Sequence, residues 1–140
     1  MPGFYDAGRA ATDATGIVKL VDTSAWIEFL RGTQSETDHR VRALLKSREA
    51  AWCEIVALEL LNGAKSGQVQ RIQNLRREVW LFEVDSRVWS AALRLAGAAR
   101  ASAVTAPVAD VIVAACARSY DLEIEHHGDT HFKNLSGISI

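Results

Sequence analysis

Four acidic residues stand where a charge needs explaining. Asp22 closes the short apolar run of "VKLVDTSAWIEFL" and opens a helix-like pattern, and Glu59 lies inside "IVALELLNGA". Asp110 is the only polar side chain between Pro107 and Cys116, in "PVADVIVAACA", and Asp129 lies in "HHGDTHF". A charge embedded in an apolar helix is usually paired or bound to a cation. Several acids brought together repel one another unless a hard cation such as Mg²⁺ or Mn²⁺ sits among them. If the fold makes these residues converge, their chemistry is that of a metal site.

Each acid also has a plainer role to set against that one. Asp110 falls three residues after Pro107, in what would be the first turn of a helix, where the helix dipole favours a carboxylate. Glu59 has Ile55, Val56, Asn62 and Gly63 as its helical neighbours and could be a solvated helix glutamate. Asp22 could serve as a turn or capping residue. Thr23 or Ser24 could cap equally well, so capping leaves the need for an acid unexplained.

The elements that must position these residues read as alternating strands and helices. Val18–Val21 reads as a buried strand, followed by a helix over Ser24–Leu30 that stops at Arg31-Gly32. Further helices are predicted over 35–48, 54–65 and 68–79, over 87 to about 102 with Asp85 or Ser86 as cap, and from Pro107 through "VADVIVAACARSY". Strands are predicted at 50–53, 80–84 and 122–127, the last at or near a sheet edge. Trp26, Phe29 and Trp52 are expected in the core. This order predicts a three-layer α/β/α fold with a central, mainly parallel sheet, in which ligands bind at the carboxyl ends of the strands. Asp22 ends the first strand and Asp129 lies just past the last.

A chain of 140 residues that is 49% hydrophobic suits one domain with a substantial core. Residues 1–16, rich in Ala, Gly, Thr and Asp, read as a flexible extension, leaving one domain over 17–140. The apolar runs are too short to span a bilayer and the first residues lack a secretory layout, so the expected compartment is the cytoplasm. Cys53 and Cys116 form no CxxC pattern and are expected to be buried thiols. A net charge of −1 argues against binding nucleic acid through a broad positive surface, though a local basic rim around an acidic site is compatible with it. Arg31, Lys65, Arg118 and Lys133 are candidates for such a rim. The histidines of "HHGDTH" lack zinc-ligand spacing and partner cysteines.

The ordered series "LVDTSAWIEFLRG", "ALELLNGA", "APVADVIVAACA" and "HHGDTHF" resembles the motifs of PIN-domain ribonucleases, closest to the VapC toxins of bacterial toxin-antitoxin pairs. The resemblance covers roughly residues 18–140. It implies that Asp22, Glu59, Asp110 and Asp129 line a pocket for one or two Mg²⁺ or Mn²⁺ ions, with the Ser24 hydroxyl nearby. The implied reaction is metal-assisted hydrolysis of RNA, leaving a 5′-phosphate and a 3′-hydroxyl. The implied partners are RNA, a VapB-like antitoxin docking near the first helices and a second copy of the chain, with no membrane and no direct DNA binding except through the antitoxin. Many relatives carry a second acid two residues after the position of Asp129, where this chain has His131. His131 could replace that ligand or be an exposed loop histidine.

Other classes fit less well. A haloacid-dehalogenase-like phosphatase would want a second acid directly after Asp22-Thr23, and a receiver domain would want neighbouring acids there and a nucleophile on a middle strand. A degenerate PIN-like module that binds RNA or a partner without cutting is the remaining alternative.

Overall fold

The computed structural model describes residues 17–140; the extension expected over 1–16 lies outside the described residues. Four strands, β1 (Lys19–Val21), β2 (Ala50–Trp52), β3 (Trp80–Leu81) and β4 (Glu123–Glu125), form one sheet in the order β3-β2-β1-β4. Every pairing is parallel, with Leu20 opposite both Ala51 and Ile124. Seven helices connect and follow them: α1 (Thr23–Arg31), α2 (Glu36–Lys46), α3 (Glu54–Asn62), α4 (Gln68–Leu75), α5 (Ser86–Ala101), α6 (Val108–Tyr120) and α7 (Thr130–Ser136).

The strand order places the helices. From β1 the chain steps to β2 and then β3 in one direction, and it returns past β1 to reach β4. Parallel crossovers are right-handed, so reversing direction reverses the face, with α1–α4 on one side and α5–α6 on the other. The expected three-layer α/β/α architecture follows. β2 is buried along its whole length and its three residues are apolar, as a strand covered on both faces should be. Trp52 at the end of β2 and Trp26 on α1 are fully buried with their rings edge to face, 5.8 Å apart, while Phe29 is half-buried at 6.0 Å from Trp26.

Several boundaries are shorter than the sequence suggests, for local reasons. The helix expected to run to 79 ends at Leu75, because Arg76, Arg77 and Glu78 donate to carbonyls only three residues back and tighten into turns. α3 ends at Asn62, before its Gly63 cap, rather than at 65. The strand expected over 80–84 pairs only at Trp80–Leu81, and the Val84 N–H turns instead to the Glu54 carboxylate at 2.9 Å. The expected strand over 122–127 stops at Glu125; β4 does lie at the sheet edge. α7 is a helix that the sequence reading did not anticipate.

Cys53 and Cys116 are both buried and free. The adjacent Cys53 thiol, together with burial, pushes the Cys116 thiol well above its ordinary range, which suits packing and not reactivity. Among the described residues no helix is long and apolar enough to cross a membrane.

Candidate metal centre

The reversal of direction at β1 opens a crevice between the carboxyl ends of β1 and β4, since the connections there leave towards opposite faces. The Asp22 N–H donates to the Glu125 carbonyl at 2.9 Å and fastens those two ends together.

Asp22 caps α1. Its Oδ2 accepts from the Ser24 N–H at 3.2 Å and from the Ser24 hydroxyl at 2.9 Å, so the cap belongs to Asp22 itself and not to Thr23 or Ser24. Only 3% of Asp22 is exposed. Burial raises its pKa, the bonds from Ser24 and from the Thr23 backbone oppose that rise, and the charge of Asp129 adds to it. The Ser24 hydroxyl thus stands beside the acid as expected.

Asp110 sits in the first turn of α6, as the position of Pro107 predicts. Burial, followed by the charges of Asp129 and Asp22, raises its pKa from 3.8 to about 6, against the opposing pull of His131. This outcome exceeds helix-end stabilisation, which would lower the pKa of a carboxylate.

Asp129 caps α7, accepting from the His131 N–H at 2.8 Å, and its own N–H donates to His126 Nδ1 at 3.1 Å. Gly128 between them adopts φ +61°, a left-handed conformation that glycine takes without strain, and the chain turns back there. His131 Nδ1 lies 3.0 Å from Asp110 Oδ2 and 3.1 Å from Asp129 Oδ1. Ligand atoms of Asp110, Asp129 and His131 all lie within 4.8 Å of one another, a grouping that could hold a metal ion.

The structure therefore brings three of the four sequence-predicted acids together and adds His131. Glu59 stands one step away: its Oε1 accepts from the Thr23 hydroxyl at 2.7 Å, and it lines a small cleft of about 70 Å³ with Thr23, Ile27, Arg31 and Lys65. Of the rim candidates, Arg31 and Lys65 flank this cleft, and Lys133 is exposed in the last turn of α7. Arg118 is not a rim residue, because its guanidinium donates to the Leu135 carbonyl at 2.6 Å and ties α6 to α7. Thr23 was visible in the sequence only as a cap; its bond to Glu59 is a long-range contact that no spacing rule signals.

The sequence profile of the PIN domain matches residues 19–138, nearly the whole described chain. The chain belongs to the PIN-domain family. Relatives within the family include VapC ribonuclease Mb1587 of Mycobacterium bovis and ribonuclease VapC11 of Mycobacterium tuberculosis. Each is 33% identical to it over 125 residues, covering 86% of this chain and 92% of the relative. Among solved structures, a chain of VapBC2 from Rickettsia felis bound to a DNA fragment from their promoter shares the fold with a TM-score of 0.63. Its identity is 14%, over 76% of this chain and 84% of that one. A chain of FitAcB from Neisseria gonorrhoeae has a TM-score of 0.60 at 20% identity, covering 85% of this chain and 94% of the other. The PIN fold accounts for the parallel sheet and for the crevice where the three aspartates meet.

Proposed function

We propose that this PIN domain is an endoribonuclease dependent on Mg²⁺ or Mn²⁺ and that it serves as the toxin of a toxin-antitoxin pair. The observation that carries the reading is the convergence of Asp22, Asp110 and Asp129 at one crevice. Among the described residues no Lys or Arg lies within ion-pair distance of any of them. Carboxylate oxygens are the donors that hard divalent cations take, and His131 would favour Mn²⁺ over Mg²⁺. The ribonuclease names of the mycobacterial relatives support the choice of RNA.

In this reading Asp22, Asp110 and Asp129 hold the cation, with Glu59 and His131 completing or adjusting the site. A divalent cation there supplies Lewis acidity, a more acidic attacking water and neutralisation of charge growing on the phosphate oxygens. Ser24 keeps the Asp22 carboxylate in one orientation. Arg31 and Lys65, beside the cleft, offset the repulsion between an acidic pocket and RNA by holding phosphates that flank the cut. The products are a 5′-phosphate and a 3′-hydroxyl, and the place of action is the cytoplasm.

The test is incubation of the full chain with cellular RNA and either cation. Cleavage that EDTA does not affect would overturn the reading, whereas binding without any cleavage would favour the degenerate module that His131 makes conceivable. For the toxin role, co-expression with the product of the adjacent small gene, the VapB-like partner, should relieve growth arrest, and an arrest equal with and without it would count against the pairing. The expected homodimer has an apolar face available on α5 and the start of α6, where Trp89, Leu93 and Val108 are 50%, 75% and 76% exposed. Sedimentation of Leu93→Asp against the unaltered chain checks it.

A further inference from the structure

The turn that carries Asp129 lies beyond the end of β4, so strand pairing does not hold it. It is held from α2. His127 Nδ1 lies 2.8 Å from the Thr37 hydroxyl, and Thr37 is only 4% exposed. Arg40 donates to the same hydroxyl oxygen at 3.2 Å and, through Nε, to the buried Glu125 carboxylate at 3.0 Å. His127 Nε2 faces Glu28 Oε1 at 3.5 Å, and in the tautomer that carries its hydrogen there Nδ1 accepts from the Thr37 hydroxyl.

The other end of this chain of contacts reaches the site. The backbone N–H of His127 donates to the Ser24 hydroxyl oxygen at 3.0 Å, and that hydroxyl donates to Asp22 Oδ2 at 2.9 Å. One residue thus touches the support of Asp22 through its backbone, while its side chain is pinned to α2 two positions before Asp129. A shift of the imidazole would move both acids relative to each other.

We infer that α2 belongs to the machinery of the site: Thr37, backed by Arg40 and Glu125, is a positioning residue that clamps His127 and so sets the spacing between Asp22 and Asp129. The inference rests on the metal-dependent reading of these acids. Thr37 is buried away from the crevice mouth and acts only through His127. Partners that orient ligands in this way typically change metal affinity or activity by about 10- to 100-fold when removed.

The experiment measures Mn²⁺ affinity of the full chain from the electron-paramagnetic-resonance signal of free Mn²⁺, alongside kcat and KM for RNA cleavage. Thr37→Val, which keeps the shape and loses the hydroxyl, should weaken Mn²⁺ binding and lower kcat by about tenfold each, with KM nearly unchanged. Thr37→Ser should restore both. Arg42→Met, on the same helix but outside the contact chain, should lower thermal stability and leave Mn²⁺ affinity unchanged. If Thr37→Val does not fold, His127→Ala, whose side chain is 46% exposed, provides the same measurement. Unchanged Mn²⁺ affinity in the folded variant would overturn the inference while leaving the metal reading intact. A wild-type chain that binds no Mn²⁺ would overturn both.

Discussion

The molecule holds two sets of buried and half-buried carboxylates and treats them differently. Asp38 is 1% exposed, yet its oxygens accept from Arg42 Nε and from the Gln34 N–H, each at 2.9 Å. Glu125, at 6%, is met by Arg40. Asp22, at 3%, gathers with Asp110 and Asp129, and no arginine or lysine among the described residues pairs with them. Acids of the first set bring their own cations from α2, so their charge is settled within the fold. The second set leaves its charge unsettled, and that separates a structural ion pair from a place that could hold an outside cation.

The largest effect should come from removing a charge in the second set. Asp22→Asn or Asp110→Asn is expected to lower RNA cleavage by about 100-fold or more, since a lost cation withdraws several kcal/mol of transition-state stabilisation. Variants that cleave as well as the unaltered chain would erase the distinction. Breaking the Arg42–Asp38 pair of the first set should affect folding instead. Arg42→Met should cost about 2 kcal/mol in urea denaturation, the worth of a hydrogen bond to a charged group, with cleavage per folded molecule unchanged.

The second set should also show in the pH dependence of stability. Asp110 in the folded, cation-free protein holds its proton up to about pH 6, against an ordinary value of 3.8. Between those values the folded state binds more protons than the unfolded state. Stability therefore falls as pH rises through the window, and the deficit is complete above it. Thermal melts in chelator should show this fall, and Asp110→Asn should flatten it and melt higher at neutral pH. The smallest effect concerns the residue that departs from the family pattern. His131→Asp should shift the preference between the two cations towards Mg²⁺ by a few-fold, measured as the ratio of cleavage rates in each.

Much of the site was legible because its acids violate local expectation. Asp110 stands alone in an apolar helix, and Asp22 follows a strand where a threonine or serine could have capped. Ordered motifs then supplied the convergence that spacing alone could not. The sequence was silent where the decisive fact was a long-range contact. Glu59, grouped with the other acids, accepts from Thr23 on another helix, a contact that no spacing signals. Arg118 looked like a rim cation until α7 placed the Leu135 carbonyl beneath it. Nothing in "ETDHRVRALLK" reveals that the face carrying Asp38 turns inward. The short strands and the tightened end of α4 show the same limit, since pairing partners and three-residue-back turns decide where regular structure stops.

The position of β4 beside β1 has a consequence for synthesis. These strands are neighbours in the sheet but stand at opposite ends of the described chain, with three crossovers between them. Such non-local pairing closes late, after the intervening segments have been made and ordered. On a ribosome, Asp22 and then Asp110 would emerge without Asp129, and the crevice would not exist until β4 and the turn after it had left the exit tunnel. A nascent chain would therefore carry no complete centre until that turn is free to dock beside β1.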